Sequence, residues 1–485
     1  MRIGMVVEGS YPFVSGGVAS WVQTMVRHFS EHKFVIYAIV THKDPSMTMK
    51  YTLPENVERL EIIPLHKDVK PIYPSTKLTD EEVEIVSNWF AFKQSGKEAL
   101  QILQEQDKVG NTEAFLNSTV FYDIVKKCYV EEKITASFLD YLWMFRSMYQ
   151  AVIQVLQAET AEADVIHAVS TGYGGLLGSV LSIRFDCPLV LTEHGLYTRE
   201  REEEILKADW IPSIYKNRWI RFFQKLANEA YDRARVIISL FDRNSRLQEE
   251  AGAPLEKLMV IPNGVEMDAY AGLRPVETKI REEIIFTSVL RVVPIKDVKT
   301  MIYAAKIIKE KEIPFLFYLV GPTTEEPEYA EECRELIERL QLQDNIVMTG
   351  QADVKAYLKK TDVLVLTSVS EGQPLAMLEG MAAGIPWIVT DVGSCRELVA
   401  GAAEDELGRC GFYVPPVAPD AVAFQMEWFY NNQDQIQDMG LIGQKRIEVH
   451  YQLQHVITQY RAVYQSLKRE EESHGRHRVP SSEVI

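Results

Sequence analysis

Between residues 284 and 414, short apolar runs alternate with helix-forming stretches, and few folds accommodate that order. The runs lie at 284–288, 315–320, 345–348, 363–367, 386–389 and 411–414. Each is too short for an apolar helix and apolar throughout rather than at every second position, the pattern of a strand covered on both faces. Strand and helix in steady succession predict a doubly wound parallel sheet. In such sheets ligands sit beyond the carboxyl ends of the strands, so the residues after each run come first in a search for chemistry.

After the run at 363–367 comes Ser370-Glu371-Gly372-Gln373-Pro374-Leu375-Ala376-Met377-Leu378-Glu379-Gly380-Met381-Ala382-Ala383-Gly384. Glu371 falls in a loop and Glu379 inside a helix. Pro374, with a ring-fixed φ and no N–H to lose, suits the first helical turn. A helix start beside a carboxylate can bind an anion through amides of residues 373–375 and sugar hydroxyls through the two glutamates. The small residues Gly380, Ala382, Ala383 and Gly384 allow close helix–sheet packing; equally, Glu379 could be a solvated helix residue. After the run at 284–288 come Arg291 and Lys296, a planar fork and a mobile point charge able to grip a diphosphate, with an exposed surface pair as the alternative. The sequence holds no Asp-x-Asp pair, the usual metal-ligand arrangement for a sugar-nucleotide diphosphate.

The first half starts similarly. Residues 3–7 read as a strand, a loop passes through Gly16 and Gly17, and an amphipathic helix follows at 18–29. Glycines there let the backbone approach a ligand, or simply make a tight connection. Strands follow at 33–40 and 59–63, and then alternation stops. Residues 79–158 read as helices, a helical insertion of about 75–160 into the first domain. Within it Phe138, Tyr141, Leu142, Phe145, Met148, Tyr149 and Val152 recur at steps of three and four, a core face or a docking face. Alternation resumes with strands at 164–170, 188–192 and 235–240. The glycines of Gly172-Tyr173-Gly174-Gly175-Leu176-Leu177-Gly178 approach a dinucleotide fingerprint, but the last spacing is one too long and tight packing accounts for them. Basic and aromatic residues interleave at 216–225, a membrane-surface helix or a buried face. Pro262-Asn263-Gly264 marks a turn. The polar stretch 274–283 is the expected boundary, dividing the chain into 1–274 and 275–451. A helix at 452–470 would cross back to the first domain, and 471–485 has the composition of a disordered tail.

At 485 residues the chain exceeds one ordinary core. Its formal charge of −17 argues against nonspecific nucleic-acid binding and against adsorption to anionic lipid. No window approaches the roughly 18 apolar residues of a bilayer span. The N-terminus runs straight into a strand, so no signal peptide is expected. Five cysteines without a C-x-x-C pair fit a reducing cytosol and give no pattern for zinc.

The string from Glu371 to Glu379 resembles the E-x7-E signature of retaining glycosyltransferase family 4, and Arg291 with Lys296 matches its R-x4-K. The resemblance spans both α/β halves and is weakest over residues 70–160. It implies the GT-B fold: two Rossmann-like doubly wound domains facing a cleft, here with a helical insertion in the N-terminal one. It implies metal-independent, retaining transfer of a hexose from a UDP-sugar, UDP-glucose favoured, to a saccharide acceptor, with no cofactor. Arg291 and Lys296 would stabilise the departing diphosphate, Glu371 would bind the donor sugar, and Glu379 the ribose hydroxyls. Gly372, Gln373, Pro374 and Leu375 would assist at the helix start. The Gly16–Gly17 pair would lie near the donor phosphates, Gly321 and Gln351 near the nucleobase, and His194 beneath the donor sugar. The string Glu193-His194-Gly195-Leu196-Tyr197-Thr198-Arg199-Glu200-Arg201 resembles the Pel exopolysaccharide branch. It makes Glu193, Arg199 and Arg201 acceptor-side candidates, with an ion-paired helix start as plausible. The implied setting is cytoplasmic, peripheral at the inner membrane through polysaccharide synthase partners. A nucleotide-sugar 2-epimerase and a nucleotide-sugar-binding scaffold are the alternatives.

Overall fold

The computed structural model describes residues 1–475 apart from 45–46, 68, 94–95, 271, 274–280 and 403–404. The chain forms two compact units: Met1–Ile261 together with the chain from Arg461 onward, and Pro262–Tyr460. The division falls ahead of the expected boundary at 274, and most of the polar stretch 274–283 lies outside the described residues. The reason is the Pro262-Asn263-Gly264 turn, which is built into the second unit. Asn263 donates from its backbone N to Gln373 Oε1 at 2.6 Å and from Nδ2 to the Gln373 carbonyl at 3.0 Å. Val265 then forms a bridge with Gln452. The last helix runs Leu453–Gly475, past the expected end at 470; the rest of the expected tail, 476–485, lies outside the described residues. From Arg461 this helix belongs to the first unit, where the Tyr464 hydroxyl meets His167 Nδ1 at 2.6 Å.

The first unit holds a parallel sheet in the order β3-β2-β1-β4-β5-β6-β7. Its strands are β1 Arg2–Glu8, β2 Lys33–Val40, β3 Val57–Pro64, β4 Val165–Ala168, β5 Leu189–Glu193, β6 Val236–Ser239 and β7 Leu258–Val260. Sequence reasoning missed β7, a three-residue edge strand too short to carry a pattern. Burial of Val35, Tyr37, Ile39, Ile166, Leu189, Leu191 and Ile237 explains the near-continuous apolar runs.

The insertion is a helical layer including Asp80–Phe90, Lys97–Gln104, Thr119–Glu132 and Phe138–Leu156. Its stripe is core: Tyr141, Phe145, Met148, Tyr149 and Val152 are buried, and Phe138 and Leu142 pack beside them. Helix Ser213–Arg233 receives this layer, with Trp219, Phe222 and Phe223 buried, so the basic aromatic stretch is a buried face rather than a membrane surface. Two buried charges lock the junction. Arg218 pairs with Glu132, donates to the Phe90 carbonyl at 3.0 Å and lies 4.5 Å from the Phe145 ring centre. Glu229 accepts from Trp89 Nε1 and from the Gly96 amide, both at 2.9 Å, and pairs with Lys225 at 2.6 Å. The glycine run at 172–178 serves packing: a Cβ on Gly175 would lie 2.8 Å from that of Ala230.

The second unit holds a parallel sheet in the order β10-β9-β8-β11-β12-β13. Its strands are β8 Ile284–Val289, β9 Phe315–Val320, β10 Ile346–Gly350, β11 Val363–Leu366, β12 Trp387–Thr390 and β13 Gly411–Val414. These are the six apolar runs of residues 284–414. The order reverses direction between β8 and β11.

Because Glu229 satisfies two buried donors, Glu229→Ala should cost roughly 2–5 kcal/mol. The loss should appear in hydrogen exchange as lowered protection across 80–156, with the second unit unchanged.

Candidate functional site

Where the order of a doubly wound sheet reverses, the chains leaving the two neighbouring strands turn to opposite faces and open a crevice at the strand ends. In the second unit those strands are β8 and β11. The segment leaving β8 carries Arg291 and Lys296; that leaving β11 carries Ser368 and Glu371.

The two segments are laced together by backbone. Val369 N donates to the Ile295 carbonyl at 2.9 Å, and Thr367 Oγ1 donates to the carbonyl of Asp297 at 2.9 Å. Asp297 itself is left-handed (φ 46°) and caps helix Val298–Glu310, accepting from Thr300 Oγ1 at 2.6 Å. This framework sets Lys296 against Glu371. The ammonium donates to Glu371 Oε1, and Ser368 Oγ donates to the same oxygen at 2.6 Å. The side chains are only 16% and 10% exposed, so the pair is poorly screened by solvent. Arg291 is placed differently. It is 44% exposed and donates from Nη1 to Glu325 Oε2 at 2.7 Å. The two cations expected together thus stand in different surroundings, one in the crevice and one in a surface pair.

Two glycines hold the loops in place. Gly321 has φ 147°, and a Cβ there would lie 1.8 Å from the Leu290 carbonyl oxygen; its N–H donates to the Gly350 carbonyl at 3.0 Å. The segments after β8, β9 and β10 therefore stack at backbone contact, with Gln351 exposed just beyond. Gly393, at φ 53°, lets the segment after β12 press on Glu371, whose carbonyl oxygen would lie 2.1 Å from an added Cβ. Ser394 donates to the Gly372 carbonyl from N at 3.0 Å and from Oγ at 3.1 Å.

Helix Leu375–Ala382 follows. Pro374 is the extended residue ahead of it (φ −71°, ψ 121°) rather than part of its first turn. Lacking an N–H, Pro374 also removes one of the amides expected over 373–375. The Gln373 side chain is a strut rather than a ligand contact: it is buried and its oxygen holds Asn263. The first-turn amides of Leu375 and Ala376 have no acceptor within the helix. Glu379 lies one turn beyond Leu375 on the same face. It is partly buried, and burial pushes its carboxyl above the ordinary range; a hydrogen bond from the Tyr270 hydroxyl and the nearby Lys355 charge act in the opposite direction. Tyr270 and Lys355 carried no signal in the sequence. One ends a 3-10 turn at Met267–Ala269 and the other sits in a short helix, Val354–Leu358.

In the first unit, helix Gly17–His28 begins after Gly16, and a Cβ on either glycine would meet nothing within 4 Å. One turn in, Trp21 sets its ring edge-on to His194, centres 4.8 Å apart. His194 directly follows β5. Its Nε2 is out of solvent contact and has no hydrogen-bond partner among the described residues. Burial lowers its pKa to about 4, so the ring is neutral at physiological pH. The neighbouring His167 is fully satisfied by Thr192 Oγ1 at 2.8 Å and Tyr464.

Of the three acceptor-side candidates, Glu193 is built into the core, while Arg199 and Arg201 lie on the surface of their helix in exposed ion pairs. Glu193 is 1% exposed and accepts from Thr171 Oγ1 at 3.0 Å, Tyr197 N at 3.2 Å, Tyr231 Oη at 2.8 Å and Gln248 Nε2 at 2.9 Å, so its carboxylate is saturated inside the core. Arg199 and Arg201 pair with Glu203 at 3.6 Å and Glu204 at 2.8 Å on their own helix, Tyr197–Lys207. This is the ion-paired helix start. Glu8, at the end of β1, went unnoticed; it accepts from Gly174 N at 2.8 Å and Tyr197 Oη at 3.0 Å.

Among the described residues, no group of three or more His, Cys, Asp or Glu is arranged to hold a metal ion, and no helix is long and apolar enough to cross a membrane. All five cysteines are free and buried.

Comparison with known proteins bears on both units. Residues 1–256 match the family described as Domain of unknown function (DUF3492), and residues 273–446 match Glycosyl transferases group 1. An MMP alpha-(1->4)-mannosyltransferase of Mycolicibacterium hassiacum is 27% identical over 321 residues, 64% of this chain and 72% of that protein. A UDP-Gal:alpha-D-GlcNAc-diphosphoundecaprenol alpha-1,3-galactosyltransferase of Escherichia coli is 27% identical over 287 residues, 56% of this chain and 70% of that one. Among solved structures, Anabaena HepE in complex with UDP superposes with a TM-score of 0.61 at 15% identity, covering 96% of this chain and 100% of the other. That likeness shows the fold, which is GT-B.

Gly321→Ala should force the Leu290 carbonyl aside at a strain of on the order of 1–3 kcal/mol. Chemical denaturation should show the second unit destabilised by that amount, and an unchanged midpoint would mean the loops after β8 and β9 are not packed this tightly.

Proposed function

We propose that this chain, which belongs to the DUF3492 family and is a glycosyltransferase with a group 1 domain, transfers a hexose from a UDP-sugar to a saccharide acceptor, with retention and without a metal. The observation that carries this reading is the Lys296–Glu371 pair at the point where the second sheet reverses direction. A fixed cation stands there beside a helix start, with Glu379 on the following turn.

Breaking the bond between the sugar's anomeric carbon and the diphosphate leaves growing negative charge on the departing oxygen. Lys296 supplies a cation already aimed by Glu371 and Ser368, so little reorganisation accompanies the charge shift, and its effect is greatest where water is excluded. The amides of Leu375 and Ala376 add partial positive charge. Arg291 joins by exchanging partners. A surface pair such as Arg291–Glu325 contributes only about 0–1 kcal/mol, so a diphosphate can replace Glu325 at small cost. Glu371 would accept a hydrogen bond from a donor-sugar hydroxyl and Glu379 from the ribose. His194, neutral and with an unpartnered ring nitrogen, is suited to a hydroxyl and poorly placed in charge state to act as an acid. The acceptor hydroxyl would attack the face from which the diphosphate departs. The new carbon–oxygen bond forms as the old one breaks, and the acceptor proton passes to the leaving phosphate. No protein nucleophile is required.

The UDP assignment is supported by a fold shared with HepE, solved with UDP, and by a relative named for UDP-Gal. Within that class we favour UDP-glucose and an exopolysaccharide of the Pel type, on the cytoplasmic face beside membrane synthase proteins. The resemblance over residues 193–201 supports that branch. Glu193 would serve there as a scaffold residue, and Arg199 and Arg201, held in exposed pairs, would be free to exchange partners for an acceptor.

Lys296→Ala should lower turnover with UDP-glucose by about 100- to 1,000-fold while circular dichroism stays native. Near-normal transfer by that variant would remove Lys296 from the chemistry. NMR of the product should show the donor's anomeric configuration kept, and EDTA should change the rate by less than about twofold; a magnesium requirement would contradict a centre whose positive charge comes from side chains.

A further inference from the structure

We propose that Tyr270 and Lys355 are positioning residues for the nucleoside end of the donor site, Tyr270 aiming the Glu379 carboxylate through its hydroxyl and Lys355 fixing Tyr270. This rests on the reading above that the second unit binds a nucleoside diphosphate.

The geometry is a relay of three side chains from three separate segments. Lys355 donates from Nζ to the Ala269 carbonyl at 2.7 Å, pinning the turn that carries Tyr270. The same ammonium lies 5.1 Å from the centre of the Tyr270 ring, within range of a cation–π contact. The hydroxyl of that ring interacts with the Glu379 carboxyl and counteracts the effect of burial on it. Tyr270, Leu375 and Val354 all pack on one cluster that includes Leu378 and Met381, which holds the helix bearing Glu379 against the turn. Lys355 also sits in the first turn of helix Val354–Leu358, a short step beyond Gly350 and Gln351, where a nucleobase is expected. The relay therefore joins the base-side loop to the ribose-side carboxylate.

A ribose presents two hydroxyl donors, and an ionised carboxylate accepts from both more strongly than the neutral acid does. Burial works against that state at Glu379, while Tyr270 and Lys355 work for it. Glu266 adds a further negative charge near Tyr270. A raised folded-state pKa means that the ionised form is lost as pH falls through it. Removing the Tyr270 hydroxyl should move that loss to higher pH while leaving the aromatic packing in place.

The test is calorimetric titration of UDP into the full-length protein and its Tyr270→Phe, Lys355→Met and Glu379→Gln variants across pH. We expect Tyr270→Phe to bind within about twofold of wild type near pH 8.5 and about 3- to 10-fold more weakly near pH 6, one pKa unit corresponding to a tenfold change. Lys355→Met should shift the profile in the same direction. Glu379→Gln should bind weakly at every pH. A Tyr270→Phe profile parallel to or superimposed on wild type, with Glu379→Gln impaired, overturns the positioning role alone. Glu379→Gln binding UDP like wild type overturns the nucleotide reading of Glu379 and the proposal with it.

Discussion

The second unit depends on the contact between the segments leaving β8 and β11. Parallel strands that adjoin in a sheet but send their chains to opposite faces leave backbone groups at their ends without ladder partners, and these must be satisfied locally. Here Thr367, Val369 and Asp297 do so, and in doing so they bring an ammonium and a carboxylate to the same place. The Lys296–Glu371 pair is thus a consequence of how the sheet closes its reversal point. Its charge is held by the same hydrogen bonds that hold the fold. A partly buried ion pair adds little to stability over an apolar pair of equal volume, yet losing one partner strands the other. Stability alone is therefore a poor account of why charge stands there.

The alternation of strand and helix was legible because it is a local property. A strand covered on both faces must be apolar throughout, and all six runs of the second half became strands. Where the reading erred, the deciding interactions were distant in sequence. The boundary after Ile261 follows from Asn263 reaching Gln373, a contact no local pattern announces. β7 is three residues at a sheet edge, below the length at which periodicity exists. The insertion's stripe was readable as a helix face, but its junction rests on Arg218 and Glu229, whose partners lie in the insertion itself. As an isolated letter Arg218 belonged to a basic aromatic stretch that also suited a membrane surface.

The site divides along the same line. The meeting of the segments that carry Lys296 and Glu371 was legible because each segment follows a recognisable strand at short range. Glu193 was misread because position at a strand end does not reveal whether a side chain points to a crevice or back into the core; four donors fill its carboxylate. Gln373 was misread for a related reason, since its backbone belongs to the motif while its side chain serves the fold. Tyr270 and Lys355 were illegible altogether. Neither belongs to a spaced pattern, and they become neighbours of Glu379 only when the turn after Pro262 folds onto the second sheet.

The distribution of charge has a chemical consequence. On the proposed function, Lys296 and Glu371 sum to zero, so an arriving diphosphate would meet no strong net field from that pair and would need a further cation from the protein. Arg291 can provide it because its own partner is an exposed glutamate, given up at little cost. Binding would then convert a loosely held surface arginine into a phosphate ligand while Lys296 stays where its scaffold puts it. One cation would be preorganised and the other recruited. The preorganised one would be available to the charge that develops only as the bond breaks, which is where fixed charge lowers a barrier rather than merely tightening the ground state.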